Sequence, residues 1–256
     1  MNAKIIIVTC LLLFSIMACN LTNPGGEGGN GIVVVPLTAS PPATNACNNT
    51  WLPVTSNATW SYHVTNGPTG DFDYSTQILD LVPDAFNEMS IIGSVAQTIG
   101  WQCTPAGLVV LKPVTGPSAS VLSPVTFADF TTTGMSGVTI PNVISPGDQW
   151  TQIFNLHGEH TNADGSVSTS DGTYTNHFTA TGVENVTVPN GTFLAMRIDI
   201  VANLNITAVV SNVPVPVHTS VTATTWYASG IGMVKTISNV EGLSSTVELV
   251  TSSFRK

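Results

Sequence analysis

Metal-ligating side chains crowd together at one place in this chain, His157-Gly158-Glu159-His160. The surrounding Trp150–Glu159 stretch alternates like a strand, and strand positions three apart point to opposite faces. His157 and His160 therefore cannot chelate one ion together, and the cluster reads as a polar strand end entering a turn at Thr161–Gly165. Asp71 and Asp73 share a strand face and could meet calcium, yet no oxygen-rich loop accompanies them; they read as a solvated edge. No metal site is assigned. Nucleophilic chemistry has no better footing. There is no G-x-S-x-G elbow and no H-E-x-x-H, and Ser136, within Gly134-Met135-Ser136-Gly137, lacks the elbow spacing. The remaining histidines, His63, His177 and His218, are scattered. A formal Gly26-x-Gly28-x-x-Gly31 fingerprint precedes the strand-like Ile32–Val35 instead of following a strand, so it binds no dinucleotide. No catalytic residue and no cofactor is assigned, and an enzyme ranks behind two non-catalytic readings.

The cysteines carry more. Asn2 and Lys4 begin a short n-region, and Ile5 to Met17 is mostly apolar but too short to span a bilayer. It ends in Ile16-Met17-Ala18-Cys19, which resembles the lipobox of bacterial lipoproteins. The family pattern prefers leucine at −3 and a small residue at −2, so Ile16 and Met17 depart from it. The resemblance implies that residues 1–18 are removed and that Cys19 becomes the mature N-terminus. There it would carry a diacylglycerol thioether and an N-acyl chain such as palmitate. The competing reading is an ordinary secretory signal cut at Met17-Ala18, with Cys19 incidental. One acyl chain binds a membrane marginally, at about 0.8 kcal/mol per buried methylene, and two or three hold it durably. The expectation is an exported protein anchored by lipid to a bacterial membrane, on its periplasmic or extracellular face. Cys10 leaves with the signal. Cys47 and Cys103 remain, an even pair in an oxidising compartment, and read as a disulfide, with two buried free thiols as the alternative.

Charge excludes one class of partner. Charged residues are 8% of the 256, and removing Lys4 leaves five basic against 15 acidic residues, a formal charge of −10. A phosphate-binding surface needs clustered lysine and arginine, and the chain has none, so nucleic acid is not an expected partner. Residues 19–46 hold Gly25-Gly26-Glu27-Gly28-Gly29-Asn30-Gly31 and Ser40-Pro41-Pro42. Such a segment buries too little apolar surface to order itself and reads as a flexible tether, with an end-to-end distance on the order of 30 Å.

The elements from residue 47 onward are β. Thr192–Val201 alternates with Leu194, Met196, Ile198 and Ile200 on one face and Phe193, Ala195, Arg197 and Asp199 on the other. Similar runs predict strands over Asn57–Thr65, Asp71–Leu81, Asn87–Ile92, Ala96–Cys103, Gly107–Lys112, Trp150–Glu159, Thr173–Gly182, Ile206–Val213, Thr219–Trp226, Met233–Val240 and Ser244–Phe254. Ala163-Asp164-Gly165 and Pro189-Asn190-Gly191 supply turn chemistry between them. A short repeat matches Trp101-x5-Gly107-Leu108-Val109 with Trp226-x5-Gly232-Met233-Val234. It suggests two related β units, 47–112 and 140–256, divided near Pro113–Pro124; chance similarity and one continuous sheet are equally compatible.

The run Val183-Glu184-Asn185-Val186-Thr187-Val188-Pro189-Asn190-Gly191-Thr192-Phe193-Leu194-Ala195-Met196, followed by Trp226-Tyr227-Ala228-Ser229-Gly230-Ile231-Gly232-Met233-Val234-Lys235, adds a second resemblance. It resembles bacterial envelope proteins of uncharacterised function, whose sheet is similar to that of the LolA/LolB lipoprotein carriers. The resemblance implies an antiparallel, strongly curved sheet or half-barrel and no assigned reaction. The expected fold is thus all-β, with the β domain over 47–256. The expected function is non-catalytic: holding an apolar ligand or an envelope partner on the curved sheet, with Leu194, Met196, Ile198, Ile200 and Trp226 as the candidate site. The competing function is a structural or assembly lipoprotein with a closed β core.

Overall fold

The computed structural model describes residues 46–67, 70–113, 130–161, 165, 167–210, 213–240 and 242–254. The signal, Cys19 and nearly all of the tether lie outside them, as does most of the Pro113–Pro124 divider. The described elements are strands, and no helix among these residues is long and apolar enough to cross a membrane. In chain order they are β1 Thr59–Gly67, β2 Gly70–Val82, β3 Ala85–Ile92, β4 Val95–Thr104, β5 Gly107–Val110, β6 Phe130–Ser136 and β7 Ile140–Pro141. Then follow β8 Gln149–Thr161, β9 Val167–Val188, β10 Gly191–Val210, β11 Val213–Ala228, β12 Gly232–Val240 and β13 Leu243–Ser252.

They form one antiparallel sheet in the order β6-β8-β9-β10-β11-β12-β13-β1-β2-β3-β4-β5-β7. β13 pairs with β1, so the two sequence halves belong to a single sheet. The ladder is not closed, but its edges meet. Thr139, between β6 and β7, donates its N–H to Leu108 O at 2.9 Å. Its Oγ1 accepts from Val110 N at 2.9 Å, on β5, and donates to Gln152 Oε1 at 3.1 Å, on β8. The sheet therefore curls until one chain segment touches both outer regions.

Period-two alternation explains which face is inside. Trp60, Tyr62 and Val64 of β1 are buried, while Ser61, His63 and Thr65 between them are not. Register carries that face onward: Tyr62 lies opposite Tyr74, Ile78 opposite Glu88, Phe86 opposite Trp101 and Cys103 opposite Leu108. Phe86 and Trp101 stack with centroids 5.6 Å apart, and Tyr62 and Tyr74 at 5.0 Å. The same face continues through Phe154, Ile198, Val234 and Val247.

Several boundaries differ from the sequence expectation. Thr192–Val201 and Ile206–Val213 are not two strands: Gly191 to Val210 is continuous, because pairing with β9 and β11 on both sides overrides the turn preference of Asn203 and Asn205. Thr173–Gly182 is the middle of a 22-residue strand. The β6 strand, FTTTGMS, lies outside the expected strands and lacks the apolar alternation that marks them. The Pro189-Asn190-Gly191 turn does join β9 to β10. Gly191 has φ +130°, where a Cβ would be strained.

Candidate functional site

The face predicted on β10 divides. Leu194 is 67% exposed, whereas Met196 and Ile198 are 2% exposed and Ile200 is half-buried. Burial shifts from Phe193 and Ala195 to Met196, Ile198, Ala202, Leu204 and Ile206, so two successive residues, Ala195 and Met196, are both covered. A bulge in β9, where Arg197 pairs with Gly182 and Ile198 with Ala180, marks the change. Past it, the hairpin end turns its other side inward, and Asn190 reaches β13 through N–H to Leu249 O and Nδ2 to Val250 O, each 3.0 Å. The four residues are therefore not one open apolar surface: two are core and one is solvated.

Trp226 does not face Met196. It is buried, at 9% exposed, yet lies directly opposite Arg197 and Lys235 on the outer side of the sheet, beneath the polar groups there. Its Nε1 donates to Glu184 Oε1 at 2.6 Å, and the Arg197 guanidinium sits 6.0 Å from its ring centroid. Arg197 is held in turn by Asp199 at 3.1 Å, and Asp199 accepts from Thr224 Oγ1 at 2.8 Å. The row continues across the sheet as Lys235, Glu248, His63 and Asp73, each opposite the next, with contacts of 2.7 Å between Lys235 and Glu248 and between His63 and Asp73. Beside it a shallow cleft of about 270 Å³ is lined by Thr181, Gly182, Val183, Glu184 and Arg197.

Apolar side chains that remain in solvent gather elsewhere. The pairing of β11 with β12 begins at Val221, so among the described residues Val213–Ser220 runs on beyond it with β10 on one side only. Val217 lies opposite Ile206 and Val215 opposite Ala208, which places Val213, Val215 and Val217 on the same face as buried Leu204 and Ile206. Yet they are 59%, 37% and 41% exposed.

A second feature, absent from the sequence reading, is polar and internal. Glu88 on β3 is fully buried, and Trp101 Nε1 donates to its Oε2 at 3.0 Å. Burial pushes its carboxyl up to about 8, eased by the Trp101 bond and by the nearby Thr76 hydroxyl. The Thr76 hydroxyl is close enough to ease the charge without the geometry of a hydrogen bond. Burial also raises the Tyr62, Tyr74 and Tyr227 hydroxyls, and the Glu88 charge adds to each. Tyr227 is on β11, with four strands between it and β3, so this influence crosses the concave interior. The signal was present in Phe86-Asn87-Glu88-Met89-Ser90, where parity with Phe86 puts the carboxyl on the core face.

Cys47 and Cys103 are bridged, with Cα atoms 4.9 Å apart. His157 pairs with Asp171 at 2.6 Å and approaches Glu159 at 3.4 Å, and these carboxylates raise its affinity for a proton. Among the described residues no three His, Cys, Asp or Glu side chains are grouped to hold a metal ion.

No protein-family model matches the chain, and no curated protein matches it. Solved structures do. One, from Bacteroides fragilis, is provisionally described as an exported protein with a YmcC-like fold; it is 15% identical, over 80% of this chain and 99% of that one, with TM-score 0.45. A provisionally described lipoprotein from Parabacteroides distasonis is 12% identical over 80% and 99%, with TM-score 0.44. The hypothetical lipoprotein YmcC from Escherichia coli is 11% identical over 82% and 90%, with TM-score 0.31. TM-scores under 0.5 identify no site and no activity.

Proposed function

We propose that this is a lipid-anchored, non-catalytic protein of the bacterial envelope, which holds an apolar ligand or partner segment where β10 and β11 run on beyond β12. The observation that carries the reading is the exposed Val213, Val215 and Val217 on the inward-facing side of β11, continuous with buried Leu204 and Ile206. Met196 and Ile198, by contrast, are spent on the core. The anchor rests on Ile16-Met17-Ala18-Cys19, and the Cys47–Cys103 bridge fits an oxidising compartment.

Binding of a fluorescent fatty acid separates this reading from the closed-core one. Val217→Lys should abolish uptake while circular dichroism stays that of a folded sheet, since an exposed ammonium remains hydrated. Met196→Lys should unfold the domain, because it buries an unpaired charge. Uptake unchanged in Val217→Lys, or no uptake by the wild type, favours a structural or assembly lipoprotein instead. For the anchor, Cys19→Ala should leave the protein without incorporated fatty-acid label; equal membrane partition of both forms, with no label on either, overturns it.

A further inference from the structure

We propose that Thr76, Glu88 and Ser90 form a closed internal site for one water molecule, which completes the hydrogen bonding of all three side chains. Each is buried to 2% exposure or less, and Thr76 Oγ1, Glu88 Oε1 and Ser90 Oγ each lack a hydrogen-bond partner. They are neighbours by construction. Thr76 lies directly opposite Ser90 across β2 and β3, and Glu88 is two residues from Ser90 on the same face. Orphaned polar atoms in a core each forfeit their hydration, and native proteins rarely leave three side by side.

Several neighbouring polar groups on the inner face are committed, whereas Thr132 Oγ1, Trp150 Nε1, Gln152 Nε2 and Asn190 Oδ1 are isolated single atoms elsewhere in the sheet. Glu88 Oε2 accepts from Trp101 Nε1. The Tyr62 hydroxyl donates to Met233 O at 3.2 Å. Thr225 and Thr236 pair at 3.0 Å, and Ser238 and Ser245 at 2.8 Å, all on the same inner face. Two hydroxyl pairs on this face thus satisfy each other across neighbouring strands, and Thr76 and Ser90, although directly opposite, do not. There the residue alongside is a carboxyl, not a third hydroxyl.

The chemistry selects the guest. A bound water needs two to four polar partners, and this site offers three: two hydroxyls that both donate and accept, and one carboxyl oxygen. An apolar guest would leave all three unpaired. The groups facing Glu88 are Tyr62 on β1, Tyr74 on β2, Trp101 on β4 and Tyr227 on β11, with Ile78 and Ile99 directly beside it. None of these carries a positive charge, so the site suits a neutral molecule that accepts a hydrogen bond from the acid form of Glu88 and donates one to a hydroxyl oxygen.

Oxygen-17 magnetic relaxation dispersion on the full chain counts long-lived internal waters. The wild type should show one more than a Thr76→Val/Ser90→Ala variant, and Glu88→Gln, which keeps an acceptor and gains a donor, should retain it. An equal count in wild type and double variant overturns the proposal. Should the double variant fail to fold, a wild-type crystal structure at atomic resolution decides. Density within hydrogen-bonding distance of Glu88 Oε1 and of at least one hydroxyl supports the site. Hydroxyls turned directly onto Oε1, with nothing between them, refute it.

Discussion

Trp101 and Trp226 occupy the same place in two similar hairpins, and each gives its indole N–H to a glutamate, at 3.0 Å and 2.6 Å. Each precedes a turn into a strand that starts on a glycine at positive φ, Gly107 and Gly232. Each lies opposite the ninth residue onward, Val110 or Lys235. The environments are opposite. Trp101 shares the inward parity of Ile99 and Cys103, so its partner Glu88 is sealed in the core. Trp226 follows inward-facing Thr225, so its partner Glu184 stands at the surface beside Arg197. A repeated motif copies a turn, but a one-residue difference in phase decides which side of the sheet it serves. The same bond then means a buried acid in one half and part of a solvated charge row in the other.

The sharpest test of that difference is pH. Glu88 is held near 8 in the folded state against 4.5 when free, so the unfolded chain loses its proton first. Stability should therefore fall as pH rises from about 4.5 to about 8 and level off above, by on the order of 5 kcal/mol. Chemical denaturation across this window should show the slope in wild type and its loss in Glu88→Gln. The same slope in both proteins would mean that the inner carboxyl is not the buried acid described. Next in size is the bridge, which ties Cys103, two residues beyond Trp101, to Cys47 across a separation of 56 residues. Replacing both cysteines by alanine should lower stability by about 4 kcal/mol. Quantitative alkylation of both thiols in unreduced native protein would show there is no bridge to lose. The smallest effects compare the pairs directly. Trp101→Phe strands a buried carboxyl oxygen and should cost about 2–3 kcal/mol, whereas Trp226→Phe lets water replace the indole at Glu184 and should cost about 1 kcal/mol. Equal costs would erase the distinction between inside and outside.

Most of the fold was legible because alternation and turn chemistry are local. Pro189-Asn190-Gly191, the strand of Trp60, Tyr62 and Val64, and the Cys47–Cys103 pair all follow from residue type and spacing. What failed was information carried between strands. Reading Leu194, Met196, Ile198 and Ile200 as one surface ignored the bulge in β9, which no residue of β10 announces. Splitting β10 near Asn203 ignored two partners that hold it straight. The site suffered in the same way: Trp226 is buried, as a strand-end indole suggests, but only its register with Arg197 and Lys235 places it on the outer side of the sheet instead of the concave one. Glu88 was readable from parity with Phe86, but an acidic residue in a strand is so often solvated that parity alone did not single it out.

The stretch of β11 that runs on beyond β12 reads Val213-Pro214-Val215-Pro216-Val217, and those prolines govern what its edge can recruit. An unpaired strand edge ordinarily recruits another chain backbone to backbone, the first step toward fibres. Proline has no N–H to offer and sits in sheets with the missing donor toward the open side. The valines can thus stay on display while the edge beside them resists templating. Many copies held close together then each keep an apolar surface exposed without zipping into one another.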